Sequence, residues 1–374
     1  MYKTDEVFKF LVKQMKHPKA DRSFLNEKYT NHSQWYEETC EWLKSRTLYD
    51  LEPNPEGHAP VYTQEQDFGG HVRKKLYFYT AKDCKVSAYL LVPKGLVAPA
   101  PAIVALHDHS GYYYYGKEKI VDHDPPIEAI SNFQNWCYGG RGFASALAEK
   151  GYVVMVIDML GWGERSWVKE SWLGGGPSHF HGMEKGSAEY IDAYNNAWGS
   201  FGRRAVNTAF YAGMSLPGIQ TWDDIRTIDF LCTLPEVDAS RIGCLGLSVG
   251  GLRTVMLGAL DTRIKCSCTA GYMPLSADQV PYRMGTTIPG VHDHLPFPDM
   301  AAMMAPRPML VLNCENDVLF DLTSMEDSAE TIRKVYRKVG AEDMFAAEFF
   351  PVGHMFNYEM QERAFEWLDK HLCK

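Results

Sequence analysis

From residue 101 to the end, the chain alternates between short apolar runs and amphipathic stretches. Pro101–Leu106 and Gly151–Asp158 are almost unbroken apolar runs, the pattern of strands buried on both faces of a parallel sheet. Between them Gly142–Lys150 reads as a helix. Trp222–Leu234 reads as another, with Ile225, Ile228 and Leu231 on one face. A strand at Arg241–Leu247, a helix over 249–260 and a strand at Ile264–Thr269 follow. Beyond a proline-rich loop over 274–308 come a strand at Pro308–Asn313, a helix over 325–339, a strand at Met344–Phe350 and an amphipathic helix at Tyr358–Leu372. Strand–helix alternation of this kind predicts an α/β fold: a mostly parallel central sheet with helices on both faces.

Three stretches stand outside the alternation. Phe8, Phe10, Leu11 and Met15 recur at helical spacing, as do Trp35, Tyr36, Trp42 and Leu43, until Glu52–Gly57 breaks the pattern. Residues 1–60 are expected to form a helical extension packed on a main domain spanning 61–374, because so short a segment buries too little surface alone. Val72–Tyr79 and Val86–Val92, with Asp83 in the turn between them, predict an antiparallel hairpin at the sheet edge. Residues 159–215 are rich in Gly, Trp, Tyr and His and lack a long apolar period, which marks an insertion or lid.

A net charge of −9 disfavours nucleic acid and an anionic membrane surface as partners. No run approaches the roughly 18 uninterrupted apolar residues of a membrane span, and the first residues are too charged for a secretory signal. The nine cysteines are an odd number, form no C-x-x-C pair, and fall in apolar runs at Cys232, Cys244, Cys266, Cys268 and Cys314. Reduced thiols and a cytoplasmic protein are expected. Homo-oligomerisation stays open.

The chemistry concentrates at Gly246-Leu-Ser-Val-Gly250, followed by Gly251. A G-x-S-x-G between a strand and a helix is the setting of a nucleophile elbow, where Ser248 stands on a tight turn and the N–H of Val249 opens a helix. The glycines relieve collisions that side chains would make in such a turn. A base and an acid are expected at later strand ends, in the order Ser, Asp or Glu, His. Asp317 follows the strand ending at Asn313, with Glu315 and Asp321 as alternatives that loop position disfavours. His354 follows the next strand, in Pro351-Val-Gly-His-Met355. An imidazole can take the proton of Ser248 and pass it to a leaving group, and Asp317 would orient it. The second oxyanion donor is expected after the early strand, in His107-Asp-His-Ser-Gly111, from the backbone of His109 or Asp108.

These segments resemble the α/β-hydrolase superfamily, and more narrowly its bacterial dienelactone-hydrolase-like and acetyl-xylan-esterase-like members. The resemblance is carried by the elbow together with Ala88–Gly95, Leu106–Gly111, Asp158–Arg165, Leu234–Gly243 and Ala305–Leu312. It implies the α/β-hydrolase fold, a triad of Ser248, Asp317 and His354, no cofactor, and hydrolysis of a small-molecule carboxylic ester through an acyl-enzyme, with deacetylation of a carbohydrate as one form. The chain departs from the family pattern at Asp108 and Ser110, where glycine is usual.

Other readings compete. Cleavage of a C–C or amide bond uses the same triad, and a non-catalytic binding protein can share the fold. Two His-Asp-His triplets, at 107–109 and 292–294, with His123, His179 and His181, raise a metal site. Their spacing fits no helical ligand pair, so no metal is expected. Asp158 is read as structural, and Glu164 with Arg165 as an ion pair. Lys117, Arg203 and Arg204 could meet a carboxylate, with solvated charges as the default reading. Tyr112, Tyr113 and Trp162 are candidate substrate contacts in an aromatic group that includes Tyr114, Tyr115, Trp167, Trp172 and Trp198.

Overall fold

A computed structural model describes residues 18–168, 182–274 and 286–373, with Lys9, Phe10 and Lys13 besides. Phe8, Leu11, Met15, Trp172, His179 and His181 lie outside the described residues.

Nine strands form one sheet in the order β1-β2-β3-β5-β4-β6-β7-β8-β9. They are β1 Val61–Asp67, β2 His71–Ala81, β3 Cys84–Pro93, β4 Ala100–Leu106, β5 Val153–Ile157, β6 Val237–Leu247, β7 Ile264–Ala270, β8 Met309–Cys314 and β9 Phe345–Phe350. The first three pair antiparallel, β3 meets β5 antiparallel, and β5, β4 and β6 to β9 run parallel. Every residue of β4, β5 and β8 is buried, as their unbroken apolar sequences require.

The helices are α1 His32–Thr47, α2 Glu128–Cys137, α3 Phe143–Glu149, α4 Ala188–Tyr211, α5 Leu216–Leu231, α6 Val249–Leu260, α7 Val291–His294, α8 Phe297–Ala302, α9 Leu322–Lys338 and α10 Tyr358–Leu372. Two cores line the two faces of the sheet. One joins β4 and β6 side chains to α5, α6 and α9, and takes in Phe24, Trp35, Cys40 and Leu43 of the N-terminal region. The other joins the opposite faces of the same strands to α2, α3 and α10.

The structure differs from the sequence pattern in three places. Strand β1 has no apolar alternation because almost every residue of it is exposed. Helix α2 fell within a stretch with no assigned element. Residues 159–215 contain the long helix α4, capped by Ser187 accepting from the Tyr190 N–H. Its glycines and paired asparagines dilute the period that Tyr190, Ile191, Trp198, Val206 and Ala209 carry on its buried side. Among the described residues no helix is long and apolar enough to cross a membrane. All nine cysteines are free thiols.

Candidate active site

The chain leaves β4 toward β5 on one side, then crosses to β6 on the other side of β4. Connections that diverge from one strand open a crevice at its carboxyl end. Leu106 of β4 pairs with Gly246 of β6, so the loops that follow these two strands meet at that crevice.

Ser248 turns the chain from β6 into α6. Its φ of 58° and ψ of −123° lie where a non-glycine residue is strained, and the packing around it holds it there. The Ser248 N–H donates to the Ala270 carbonyl at 2.8 Å, and its carbonyl accepts the Leu252 N–H at 3.0 Å. The flanking glycines are obligatory. A Cβ on Gly246 would lie 2.5 Å from backbone atoms of Gly250, and one on Gly250 would lie 2.1 Å from the Leu106 carbonyl oxygen. Val249, the first residue of α6, is buried among Met159, Trp162, Tyr190 and Trp198.

Asp317 and His354 come together from the loops after β8 and β9. His354 Nδ1 stands 2.6 Å from Asp317 Oδ2, and the Asp317 carboxylate is wholly buried. Asp317 Oδ1 accepts the Leu319 N–H at 2.8 Å, which fixes the carboxylate. A carboxylate at Nδ1 places the proton there and leaves the lone pair on Nε2. Nε2 is buried and has no hydrogen-bond partner among the described residues. The ring lies over Gly271, where a Cβ would come within 3.4 Å of His354 Cε1 and 3.1 Å of a Leu247 methyl. Gly271 directly follows Ala270, the residue that accepts the Ser248 N–H. The imidazole therefore sits beside the elbow. Glu315 is exposed and Asp321 caps α9 through the Thr323 and Ser324 N–H groups, so neither takes the place beside His354.

The loop after β4 is held from below. His107 Nε2 accepts the Met159 N–H at 3.1 Å and its Nδ1 donates to the Asp108 carbonyl at 2.9 Å, clipping this loop to the end of β5. Burial lowers the His107 pKa well below its ordinary value, so the ring is neutral. The Asp108 side chain turns into the interior, where it meets Lys119 Nζ at 3.1 Å and accepts the Tyr138 hydroxyl. Burial alone would raise its pKa, but Lys119, His107 and the hydroxyls of Ser110 and Tyr138 bring it down to about 2. Burial in turn lowers Lys119 from its ordinary range despite this partner.

That shift sets an acid limb. A folded-state value below the ordinary 3.8 means that the Asp108 contribution is present above about pH 4 and is lost as pH falls toward 2. Urea unfolding of the wild type should lose on the order of 2 kcal/mol from this group between pH 5 and 2.5. In Asp108→Asn the stability deficit should shrink across the same interval. A deficit constant with pH would refute the assignment.

The sequence of a Bacillus subtilis protein, "Putative hydrolase YtaP", is 24% identical over 294 residues, covering 77% of this chain and 84% of that one. A "putative acetyl xylan esterase" from Bacteroides fragilis superposes with a TM-score of 0.69 at 18% identity, over 94% of this chain and 83% of that one. The methylesterase BT1017 gives 0.62 at 18% identity, over 96% and 68%. A glucuronoyl esterase from Solibacter usitatus gives 0.59 at 13% identity, over 91% and 94%. No family model matches the chain.

The chain has the α/β-hydrolase fold.

Beside the elbow, this α/β-hydrolase fold carries an aromatic group. Tyr113 stacks on Trp198 with ring centroids 3.8 Å apart, and Trp162 packs against both. The Trp162 indole N–H donates to the His109 carbonyl at 3.3 Å. Tyr112 lies elsewhere, stacked on Phe133 of α2 in the core on the other sheet face.

The charged residues of the region differ from their sequence reading. Lys117 is completely buried, not solvated. Its Nζ donates to Glu118 at 2.7 Å, Asp158 at 2.8 Å and Glu164 at 2.8 Å. These carboxylates are the one three-residue grouping of metal-type donors among the described residues, and the ammonium occupies its centre. Glu164 and Arg165 do not pair with each other. Glu164 also meets Lys75 at 2.9 Å, while Arg165 pairs with buried Asp223 at 2.8 Å. Asp158 accepts the Lys117 and Glu164 N–H groups, so it organises the turn that follows β5. Arg203 and Arg204 are exposed on α4. The second triplet ties down the N-terminal region: Asp293 pairs with Lys19 at 2.7 Å and His294 with Asp21 at 2.8 Å, while burial lowers His292 to about 4. Sequence reading took Lys117 for a solvated charge and missed Lys119 and Tyr138, because a lysine or tyrosine that folds inward carries no local signal.

Proposed function

We propose that the chain is a serine hydrolase that cleaves a carboxylic ester through an acyl-enzyme. Ser248 Oγ attacks the ester carbonyl while His354 Nε2 takes its proton. Asp317 holds the imidazole in the productive tautomer and stabilises the imidazolium. The Val249 N–H and an N–H of the 108–109 loop receive the developing oxyanion at the start of α6. The tetrahedral intermediate expels the alcohol, which collects the proton from His354. Water then attacks the acyl-enzyme by the same route in reverse roles, releasing the acid and freeing Ser248.

The observation that carries this reading is the His354–Asp317 pair. Its remaining nitrogen is buried and has no partner among the described residues, and its ring lies over Gly271 beside the strained Ser248. The esterase names of several structural relatives support an ester as the substrate. Tyr113, only partly buried where it packs on Trp162 and Trp198 near the elbow, favours an acylated carbohydrate or a ring-bearing small ester. The nine free thiols support a reducing compartment.

A p-nitrophenyl ester series from acetate to octanoate tests the proposal, run with and without EDTA. An initial burst of nitrophenol, unaffected by EDTA and equal to the enzyme concentration, is expected. The chain-length profile will size the acyl pocket, and release of acetate from acetylated oligosaccharides will test the carbohydrate form. Turnover abolished by EDTA, or no turnover of any ester, would overturn the reading.

A further inference from the structure

We infer that the second oxyanion donor is the backbone N–H of His109, not that of Asp108, and that Lys119 is the residue that positions it. The inference rests on the acyl-transfer reading above and specifies one part of it.

The argument is about two peptide planes. In a trans peptide the carbonyl of one residue and the N–H of the next point in opposite directions, and no cis bond occurs between 107 and 109. The Asp108 carbonyl receives two donors, Lys119 Nζ at 2.7 Å and His107 Nδ1 at 2.9 Å. His107 is the donor in this bond because its Nε2 already accepts the Met159 N–H. The Asp108 carbonyl is thus directed at a completely buried ammonium, and the N–H of His109 is turned the opposite way. The preceding plane has the reverse sense. The His107 carbonyl oxygen lies 3.1 Å from where a Gly250 Cβ would be, so this carbonyl faces the first turn of α6. The N–H of Asp108, opposite it, faces away from the elbow. Of the two candidates only the His109 N–H is set to face the crevice between β4 and β6.

Lys119 is built to hold this setting. Its side chain is fully buried and grips both ends of Asp108, the carbonyl and the carboxylate. The Tyr138 hydroxyl holds the other carboxylate oxygen. The segment that carries Lys119 is itself pinned, by its N–H to the Gly116 carbonyl at 3.1 Å and by Gln134 Nε2 to the Lys119 and Val121 carbonyls. Ser110 and Gly111 both take positive φ, which turns the loop back immediately after His109. A glycine at 108 would lack the carboxylate that anchors the loop. Here the ion pair supplies the fixed geometry.

The test pairs Lys119→Met with Asp108→Asn, so that no buried charge is left alone, and measures three quantities. These are kcat and KM for a p-nitrophenyl ester, and the affinity of an alkyl boronic acid, which forms a tetrahedral adduct on the nucleophile. Loss of one oxyanion donor lowers kcat by roughly 10²–10³-fold. The double variant should show a loss of that order in kcat, a parallel loss in boronate affinity, and a KM within about twofold of wild type. Asp108→Asn alone keeps the Lys119 bond to the carbonyl and should lose at least tenfold less. A folded double variant with wild-type kcat and boronate affinity would overturn the inference. If the double variant does not fold, Lys119→Arg takes its place. It keeps the charge but cannot reproduce a point donor shared by two oxygens, and roughly tenfold losses in kcat and boronate affinity are expected. A folded Lys119→Arg equal to wild type in both would overturn the inference. A wild-type protein that neither turns over esters nor binds the boronate would overturn the underlying reading as well, which separates the two failures.

Discussion

Ser248→Ala is expected to lower kcat for ester hydrolysis by roughly 10⁴–10⁶-fold while leaving the fold intact. The serine is only 2% exposed and its hydroxyl fixes no backbone group, so alanine removes the nucleophile without opening a cavity of consequence. His354→Ala should cost about as much, because a serine hydroxyl without a base is a poor nucleophile. The double variant should be no worse than either single variant, since the two residues act in one step. Asp317→Asn should lose roughly 10⁴-fold, because an amide facing Nδ1 favours the wrong tautomer of the ring. The loss should fall on kcat, with the nitrophenol burst absent in Ser248→Ala and circular dichroism unchanged. Losses that multiply in the double variant would mean that the two side chains act independently. Activity retained in Ser248→Ala would remove the nucleophile from the mechanism altogether.

The second large effect is on stability. Lys117→Met should destabilise the protein by about 3–5 kcal/mol, the cost of stranding buried carboxylates whose cation has been removed. Lys117 and Asp158 are both completely buried, and Glu118 is nearly so. The ammonium lies between three acidic groups, and burial already pushes Asp158 up to about 6 even with Lys117 beside it. Without the cation the Asp158 carboxyl rises further above its unfolded value, and Glu118 and Glu164 lose the partner that holds them below theirs. Groups raised in this way stabilise the fold at low pH and cost stability as pH climbs through the unfolded values toward the folded ones. The deficit of Lys117→Met should therefore be larger at pH 8 than at pH 5. It should shrink again in Lys117→Met with Asp158→Asn, which removes one stranded charge. The urea midpoint, with its slope unchanged, is the measurement. A deficit independent of pH would show that the lysine stem, not its charge, was the stabilising part. A bound divalent cation that restored the Lys117→Met variant would show that the three carboxylates form a latent metal cradle.

The two effects separate the layers of the site. Ser248 and His354 lie at the crevice and are proposed to set the rate, whereas Lys117 lies beneath the loops after β4 and β5 and is expected to hold the frame. His107 and Lys119 stand between these layers, joining the frame to the peptide proposed to receive the oxyanion.

Much of the frame was legible in the sequence. Parallel strands covered on both faces must be apolar at every position, so β4, β5 and β8 announced themselves as unbroken runs. The turn at Ser248 needs glycines at fixed offsets, because backbone from two strands closes to within a few ångströms of it. The loops after β8 and β9 carry Asp317 and His354 immediately beyond the strand ends, where position along the chain already implies position in space. The strand β1 was silent because it is exposed on both faces, and α4 because its apolar side is diluted by glycine and asparagine. Tertiary structure alone decided where the charged side chains went. Nothing local distinguishes Lys117 or Lys119 from a surface lysine, since their partners Asp158 and Asp108 lie 41 and 11 residues away. The direction of the Asp108 carbonyl was equally invisible, because a peptide plane is set by the donors that reach it, and those come from different elements. Local chemistry therefore determined which residues the chain could present at the crevice, and long-range packing determined how they are aimed.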